Sequence, residues 1–158
     1  MVTMADPLQA LISFQQDVRR RLPVVPTERY RGTYVIRDEL NEKVRYTYLK
    51  IEHGRVKAIA MFVTVGLVEG IPCFQMGYAV PVTYRNRGWA TQIIKEGIDE
   101  LQRGFSAHGH GDFYVEAVVG MDNIASQHVA QKVLGQSSPI TDGPSGQSAL
   151  AYMKRIAC

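Results

Sequence analysis

The chain has 158 residues, of which 46% are hydrophobic and 21% charged, and its formal net charge is +3. This composition is typical of a soluble globular protein, and the length predicts that residues 1–158 form a single domain with a substantial core. The mild positive charge permits contact with an anionic cofactor or with RNA but does not require either, and no apolar run approaches the length of a membrane span.

Cysteine usage and the start of the chain narrow the class of protein further. Met1 to Gln15 lacks the basic start and apolar centre of a signal peptide. Cys73 and Cys158 lie far apart and form neither a disulfide framework nor a metal-ligand pattern. His108 and His110 lie in a glycine-rich connection, which favours a solvated loop over a metal site. We therefore expect a cytoplasmic protein without a bound metal.

The first half of the chain predicts one helix followed by an antiparallel meander. Asp6-Pro7 marks a helix start, apolar residues continue at helical spacing to Leu22, and Pro23 ends the helix. His53-Gly54 is a hairpin signal between two β-rich runs. In order, the pattern predicts a connection at 23–29, a strand at 32–37, a polar turn at 38–43, strands at 44–52 and 55–68, a turn at 70–72 and a strand at 73–80.

The second half alternates strands and helices. Asp122 is the predicted N-cap of the last helix, and Gly135 ends it. Strands that alternate with helices after a meander predict an α+β fold with a mixed sheet and at least one parallel strand pair. The predicted elements are a helix from 89 to about 104, a near-continuous apolar strand at 113–119, a helix from 122 to 135, a loop at 136–146 and a strand at 148–156.

The connection from Val80 to Ala90, with the sequence Val-Pro-Val-Thr-Tyr-Arg-Asn-Arg-Gly-Trp-Ala, follows a predicted strand and opens a predicted helix. A turn in that place presents free backbone N–H groups and the positive end of a helix dipole, which together attract an anion such as pyrophosphate. Gly88 would let phosphate groups approach closely because it has no Cβ. The turn lacks the Gly-Lys-Ser/Thr of the Walker motif and the three glycines of the dinucleotide fingerprint.

Three segments resemble the GNAT N-acetyltransferase family in order and spacing. Arg85-x-x-Gly88-x-Ala90 resembles the family's acyl-CoA loop. The strand Phe-Gln-Met-Gly-Tyr at 74–78 and the run from Val115 to Ser126, a strand with Glu-Ala followed by a helix opening Asn-x-x-Ser, resemble the ribosomal-protein N-acetyltransferase branch. The likeness covers about residues 74–135, whereas residues 1–43 carry none.

The resemblance implies a GNAT-like fold, in which a central mixed, mostly antiparallel sheet is flanked by helices and contains one splayed parallel strand pair. That pair would be the strands at 73–80 and 113–119. Acetyl-CoA would be the co-substrate, with its pantetheine arm in the opened wedge and its pyrophosphate on the loop. The cofactor-binding residues implied are Ala79, Val80, Val82, Arg85, Asn86, Arg87, Gly88, Trp89, Ala90, Thr91 and Asn123.

Several of these residues also have a purely structural interpretation. Val80 and Val82 would act through their backbone, so their side chains could simply pack in the core. Arg85 and Arg87 would contact phosphate oxygens, or they could be two exposed arginines on a turn. Trp89 favours packing at the helix start over a stacking role. Asn123 could bind pantetheine, cap its helix, or do both.

Glu116 is the most informative ionisable residue because it interrupts an apolar run. Burial would raise the pKa of its carboxyl towards the range useful to a general base for an amine acceptor. The alternative is that Glu116 only supports the structure. Many GNAT enzymes place a tyrosine on the last helix as general acid to the leaving thiolate, and here the equivalent position is Ala130. Ser126, Tyr152 or water would then supply that proton.

The sequence therefore predicts an acyltransferase of the N-acetyltransferase class, which transfers acetyl from acetyl-CoA to a primary amine of a small molecule or protein by direct attack. A non-catalytic acyl-CoA sensor or interaction module and a tRNA-acetylating toxin are the alternatives, although we do not expect nucleic acid or membrane as partners. A homodimer could form through an edge strand or the C-terminal strand. We expect an acidic acceptor groove between residues 23–43 and 136–146, with Glu28, Asp38, Glu39 and Asp142 as its carboxylates.

Overall fold

The structure is a computed structural model, and it describes residues 7–19, 24–143 and 145–158. None of the described helices is long and apolar enough to cross a bilayer. Asp6, Leu22 and Pro23, on which the predicted ends of the first helix rest, lie outside the described residues. The elements in chain order are α1 (Pro7–Arg19), β1 (Val25–Pro26), β2 (Thr33–Leu40), β3 (Lys43–Glu52), β4 (Arg55–Val68), β5 (Ile71–Ala79), α2 (Trp89–Ala107), β6 (Phe113–Gly120), α3 (Ile124–Leu134), β7 (Ser137–Thr141) and β8 (Ser148–Ile156).

The strands form one sheet in the order β1-β2-β3-β4-β5-β6-β8-β7. Every neighbouring pair is antiparallel except β5 and β6, which are parallel and joined through α2. The predicted α+β class with a mixed sheet is therefore confirmed. Because β8 lies between β6 and β7, the C-terminal strand offers no free edge. The edges of the described sheet are β1 and β7.

Several predicted boundaries are wrong. The connection predicted at 23–29 contains the short strand β1, and β5 begins within the turn predicted at 70–72. The turn predicted at 38–43 is confined to Asn41 and Glu42, because Asp38 on β2 pairs with Arg45 on β3 through two hydrogen bonds. Gly104 does not end α2, which continues to Ala107. The loop predicted at 136–146 contains β7, whose Ser- and Pro-rich sequence is tolerated because an edge strand needs fewer ladder hydrogen bonds.

The sheet has a packed cluster on each face. The main cluster lies under α2 and α3 and contains side chains from β3, β4, β5, β6 and β8, with Phe62, Phe74 and Phe113 among its fully buried members. A Cβ on Gly97 would come within 2.8 Å of the Phe62 ring, so α2 packs closely only because residue 97 is glycine. The second cluster lies under α1 and draws its buried members from α1, β3 and β4.

A buried polar group fixes the first half of α2 to the sheet. Lys50 on β3 forms an ion pair with Glu96 on α2, with an Nζ–Oε1 distance of 3.2 Å, and both side chains are buried. Thr33 donates to the other carboxylate oxygen at 2.6 Å, and Gln92 donates to Oε1 at 3.0 Å. Because breaking such a set would leave a charge buried without a partner, it holds the N-terminal turns of α2 in one position.

Candidate active site

The parallel strands β5 and β6 separate after a short ladder. They pair only at Cys73–Tyr114, Phe74–Val115 and Gln75–Glu116. Beyond that point β5 continues to Ala79 paired only with β4, and β6 continues to Gly120 paired only with β8. The space between these diverging halves is called the wedge below. Backbone groups that face the wedge lack a partner in the described sheet, and the predicted splayed strand pair is confirmed.

The turn that follows β5 leaves a row of free amides at the start of α2. The amides of Tyr84 and Arg85 are used within the turn, where they donate to Pro81 O at 2.9 Å and Val82 O at 3.3 Å. The first bond of the helix runs from Gln92 N to Gly88 O, at 3.1 Å. The amides of Gly88, Trp89, Ala90 and Thr91, called the amide cradle below, therefore have no acceptor among the described residues, as at any uncapped helix N-terminus.

Gly88 is the residue that shapes the cradle. Its φ of 80° lies in the left-handed region, which favours glycine over residues with a Cβ. A Cβ built at this position would meet nothing within 4 Å, so the space in front of the cradle is open. The backbone thus favours glycine here, and the space beside it can admit a phosphate group.

The surroundings of the cradle are positively charged. Arg87 is exposed, and among the described residues neither Arg87 nor Arg85 takes part in an ion pair. Lys57 Nζ lies 3.7 Å from the centre of the Tyr84 ring. Hydrogen bonding to Lys57, with a smaller contribution from Arg55, lowers the pKa of Tyr84 below its ordinary value. Cations and free amides together make this turn suited to an anion.

The Arg85 guanidinium is already partly engaged. Its Nε donates to Val80 O at 3.0 Å, which turns the side chain back over the end of β5. Arg85 is therefore placed to stabilise the turn, and the Val80 carbonyl is not free to pair with a pantetheine arm in this arrangement. The Arg85 amide donates to Val82 O and therefore does not belong to the amide cradle.

Glu116 lies at the last pair of the parallel ladder, where the wedge begins. Its side chain is half-buried rather than enclosed, because residues 113, 115, 117 and 119 of β6 face the main cluster and the residues between them face the other side of the sheet. Burial raises the pKa of the Glu116 carboxyl above its ordinary value. A partly accessible carboxylate with a raised pKa is suited to accept a proton.

Comparison with known proteins identifies the fold. No protein-family model and no curated protein matches the chain. Among solved structures, a GNAT-family acetyltransferase from Streptococcus pneumoniae matches with a TM-score of 0.55 and 14% identity over 99% of both chains. A putative GNAT-family acetyltransferase from Bordetella pertussis has a TM-score of 0.52 and 18% identity, and the ribosomal-protein-S5-alanine acetyltransferase from Vibrio fischeri has 0.51 and 11%.

The chain has the fold of the GNAT acetyltransferases. The matches to the last two proteins cover 71% of this chain but only 65% and 61% of theirs, so the chain spans less than two thirds of their length. The resemblance found in the sequence is confirmed at the level of the fold.

In this chain a contact between β5 and α3 crosses the wedge, and the sequence analysis did not predict it. The Tyr78 hydroxyl on β5 donates to Ser126 O on α3 at 2.5 Å, which is called the Tyr78 clasp below. Burial raises the pKa of Tyr78 to about 12. Tyr78 stands in the Gly-Tyr run that carries the family resemblance, and this was the only available signal. Ala130 is fully buried in the main cluster.

The remaining candidates divide between the two faces of the sheet. Asn123, and not Asp122, is the N-cap of α3, since its Oδ1 accepts from Ser126 N at 3.1 Å. Asn123 is itself exposed beside the wedge. Tyr152 is buried in the main cluster, on the face opposite Glu116. The structure thus brings Tyr78 together with Ser126 but places Tyr152 and Glu116 on different sides of the sheet.

Several of the other residues predicted to bind the cofactor pack against one of the two clusters. Val80 is buried, so it can offer only its backbone to a ligand, and the partly buried Trp89 and Ala90 pack against the main cluster. Val82 is exposed, and Ala79 packs against the second cluster. Among the described residues no group of three or more acidic, histidine or cysteine side chains is arranged to hold a metal ion.

Proposed function

We propose that this protein is an acetyl-CoA-dependent N-acetyltransferase, which transfers the acetyl group directly to a primary amine of a small molecule or protein. The observation that carries the proposal is that Glu116, the wedge and the amide cradle follow one another in space. The wedge opens at Glu116, runs between β5 and β6, and ends beside the amide cradle at the start of α2. A long thioester with a pyrophosphate at its far end matches the shape of the wedge and the positive charge of the amide cradle.

Binding would use the cradle and the wedge in turn. The free amides from Gly88 to Thr91 would donate to pyrophosphate oxygens, and Arg87 would add a charge-assisted contact. The free backbone of β5 from Met76 to Ala79 would pair with the pantetheine amides. One N–H of that segment could then donate to the thioester oxygen as negative charge develops on it.

Glu116 would accept the proton of the attacking amine. An alkylamine has an ordinary pKa near ~10.4, so forming its neutral, nucleophilic state near neutral pH costs several kcal/mol, about 1.4 for each pH unit. A carboxylate with a raised pKa beside the thioester lowers that cost, because it takes up the proton where the new bond forms. For the leaving thiolate, Ser126 and Tyr78 are the hydroxyl groups beside α3, while Tyr152 is buried in the main cluster.

Two measurements test this function. Isothermal titration calorimetry with acetyl-CoA tests binding, and thiol release in the presence of an amine panel, with mass-shift identification of the product, tests transfer. The proposal requires both binding and an acetylated amine. A protein that binds acetyl-CoA but releases no thiol with any amine would instead be the sensor. Ala130 is compatible with that role, because it stands where many GNAT enzymes have the tyrosine that protonates the leaving thiolate. Retention of RNA at raised salt would favour the tRNA-acetylating alternative.

A further inference from the structure

On the sheet face that carries Glu116, the part formed by β6, β7 and β8 is not covered by a described helix. α1 packs against β4 and β5, and no member of the second cluster comes from β6, β7 or β8. The residues of β6 and β8 that point to this side are called the open face below, and they are Tyr114, Glu116, Val118, Ala149, Ala151, Met153 and Arg155. An amine can reach Glu116 across this surface.

Glu116 has apolar neighbours on its β8 side, whereas Gln75 lies opposite it on β5 and Arg155, paired with Asp112, lies opposite Tyr114. Met153 lies directly opposite Glu116 in the antiparallel β6–β8 pair and is 39% exposed. Val118 pairs with Ala151 one step further along. Cross-strand partners of this kind have Cβ atoms about 5 Å apart, so a ligand bound by Glu116 lies within reach of the Met153 side chain. A ligand here meets the Glu116 carboxylate with an apolar surface on its β8 side.

Other nearby carboxylates are already occupied. Asp112 accepts from Arg155 Nε at 2.9 Å and from Cys158 N at 3.0 Å. Asp142 is buried and accepts from the backbone and hydroxyl of Ser145, so it holds its own loop. Among the described side chains of the open face, Glu116 is therefore the sole carboxylate.

The acidic groove predicted from the sequence is consequently wrong. Asp38 is paired with Arg45, and the β2–β3 turn beside Glu39 lies at the end of the sheet opposite the amide cradle. Asp142 is enclosed in its own loop, which leaves Glu28 as the one predicted carboxylate that lies in a connection at the cradle end. The four carboxylates do not line one surface.

Building on the proposed function, we infer that the acceptor is a primary amine with a single positive charge on an apolar or aromatic body. Its amino group would lie at Glu116 and its body on Met153 and Val118. Polyamines and aminoglycosides need several carboxylates to offset their several charges, and the open face supplies one.

The transfer that follows is balanced without another reactant. The acceptor ammonium loses two protons, its nitrogen bonds to the acetyl carbon, and the carbon–sulfur bond of acetyl-CoA breaks. One proton ends on the sulfur of CoA, and the other leaves through Glu116 to water.

The test compares acceptors by thiol release and product mass. The wild-type protein would be assayed with phenethylamine, with a short peptide that has a free N-terminal phenylalanine, and with spermidine. We expect kcat/KM for one of the first two to exceed that for spermidine by about tenfold or more. The two apolar acceptors tell a small amine from a protein N-terminus. Equal or better turnover of spermidine would overturn the inference while leaving the proposed function intact.

A variant pair sharpens the test. Met153→Glu places a second carboxylate opposite Glu116 and should raise kcat/KM for spermidine relative to phenethylamine, by about tenfold. Met153→Gln removes the apolar contact without adding charge and should only weaken phenethylamine. Leu40→Glu is the matched control, because Leu40 is 40% exposed at the end of β2, far across the sheet.

Three results distinguish failure of the acceptor inference from failure of the proposed function. Unchanged acceptor preference in Met153→Glu would overturn the inference. A dimer in sedimentation that Met153→Glu dissociates would also overturn it, because a second copy would then cover the open face. Absence of both acetyl-CoA binding and thiol release would instead reject the proposed function.

Discussion

The two faces of the eight-residue strand β6 have different roles: one packs in the core and the other presents an ionisable side chain. Phe113, Val115, Ala117 and Val119 are at most 5% exposed and lie in the main cluster under α2 and α3. The alternate residues are half-buried on the side of α1, and Glu116 stands among them. Since successive side chains of a strand point to opposite faces, a single strand can support the core and present an ionisable group.

The comparison shows why Glu116 can be both positioned and accessible. Its backbone is held by β5 on one side and β8 on the other, so the carboxylate is fixed by a rigid sheet. Its side chain leaves the sheet on the face that α1 covers only as far as β5. A deeply buried carboxylate would be more strongly perturbed, but no acceptor could reach it.

Replacement of Glu116 by glutamine should produce the largest effect on the reaction. We expect kcat/KM for the acceptor to fall by about 10²–10⁴-fold, with acetyl-CoA affinity near that of wild type. The wild-type profile should rise with pH through a pKa above that of an ordinary glutamate, and the variant should lose that acidic limb. An unchanged profile would assign the proton to water or to another residue.

The free energy of unfolding of Glu116→Gln provides an independent test of the raised pKa. The folded-state pKa of Glu116 is raised, so its contribution is fully present below the ordinary glutamate pKa and is lost as pH rises through the raised value. Glu116→Gln should therefore be more stable than wild type at neutral pH, and the difference should disappear in acid. Urea unfolding at several pH values measures this, and a destabilised variant at neutral pH would contradict the origin of the pKa shift.

Truncation on the other side of β6 should cost stability rather than chemistry. Phe113 is fully buried in edge-to-face contact with Phe74, at a ring distance of 5.6 Å. Phe113→Ala should lower the free energy of unfolding by about 3–5 kcal/mol. Met153→Ala, on the open face, should lower it by less than about 1 kcal/mol. Similar losses for both would mean that the open face is covered in solution.

Sequence reasoning succeeded where a local pattern and the tertiary structure agree. The apolar alternation of β5, the Gly54 hairpin and the turn before α2 each depend on neighbouring residues, and each is present. The wedge was predicted only through the family resemblance, which implied that the strands on either side of α2 splay apart. β7 was missed because its pairing with β8 depends on register across a loop, which Ser137 and Pro139 do not reveal.

The candidate site was less predictable because its parts come from distant segments. The position of Glu116 at the last ladder pair follows from how β5 and β6 align, which no single segment encodes. The Tyr78 clasp joins a strand to a helix 48 residues later in the chain. The engagement of Arg85 by Val80 O is local, but it depends on a side-chain rotamer rather than on residue type.

The cradle is tested by a matched pair of glycine substitutions. Gly88 and Gly54 have φ values of 80° and 72°, and a Cβ at either would meet nothing within 4 Å. Aspartate at each should therefore cost a similar strain of about 1–2 kcal/mol. In calorimetry only Gly88→Asp should weaken acetyl-CoA, by about tenfold or more, since it places negative charge at the phosphates. Equal affinity in both variants would remove the cradle from the binding site.

The smallest expected effect concerns the Tyr78 clasp, which ties β5 to α3 across the wedge. Tyr78→Phe removes one hydrogen bond without changing the ring, so stability should fall by about 1 kcal/mol and acetyl-CoA should bind a few-fold more weakly. Because the pKa of Tyr78 is raised from 10.0 to about 12, the hydroxyl stays protonated at neutral pH. The contribution of Tyr78 to stability is fully present below the ordinary tyrosine pKa and is lost as pH rises through the raised pKa.

Ser126→Ala is the matched variant for the clasp, because it keeps the backbone carbonyl that Tyr78 binds and deletes only the side-chain hydroxyl. If Ser126 protonates the leaving thiolate, kcat should fall in Ser126→Ala with stability and acetyl-CoA affinity unchanged. If the clasp sets the width of the wedge, affinity should fall in Tyr78→Phe alone. An acetyl-CoA affinity that is the same in wild type and Tyr78→Phe would show that the wedge keeps its width without this hydrogen bond, and that α3 is held by its packing on the main cluster.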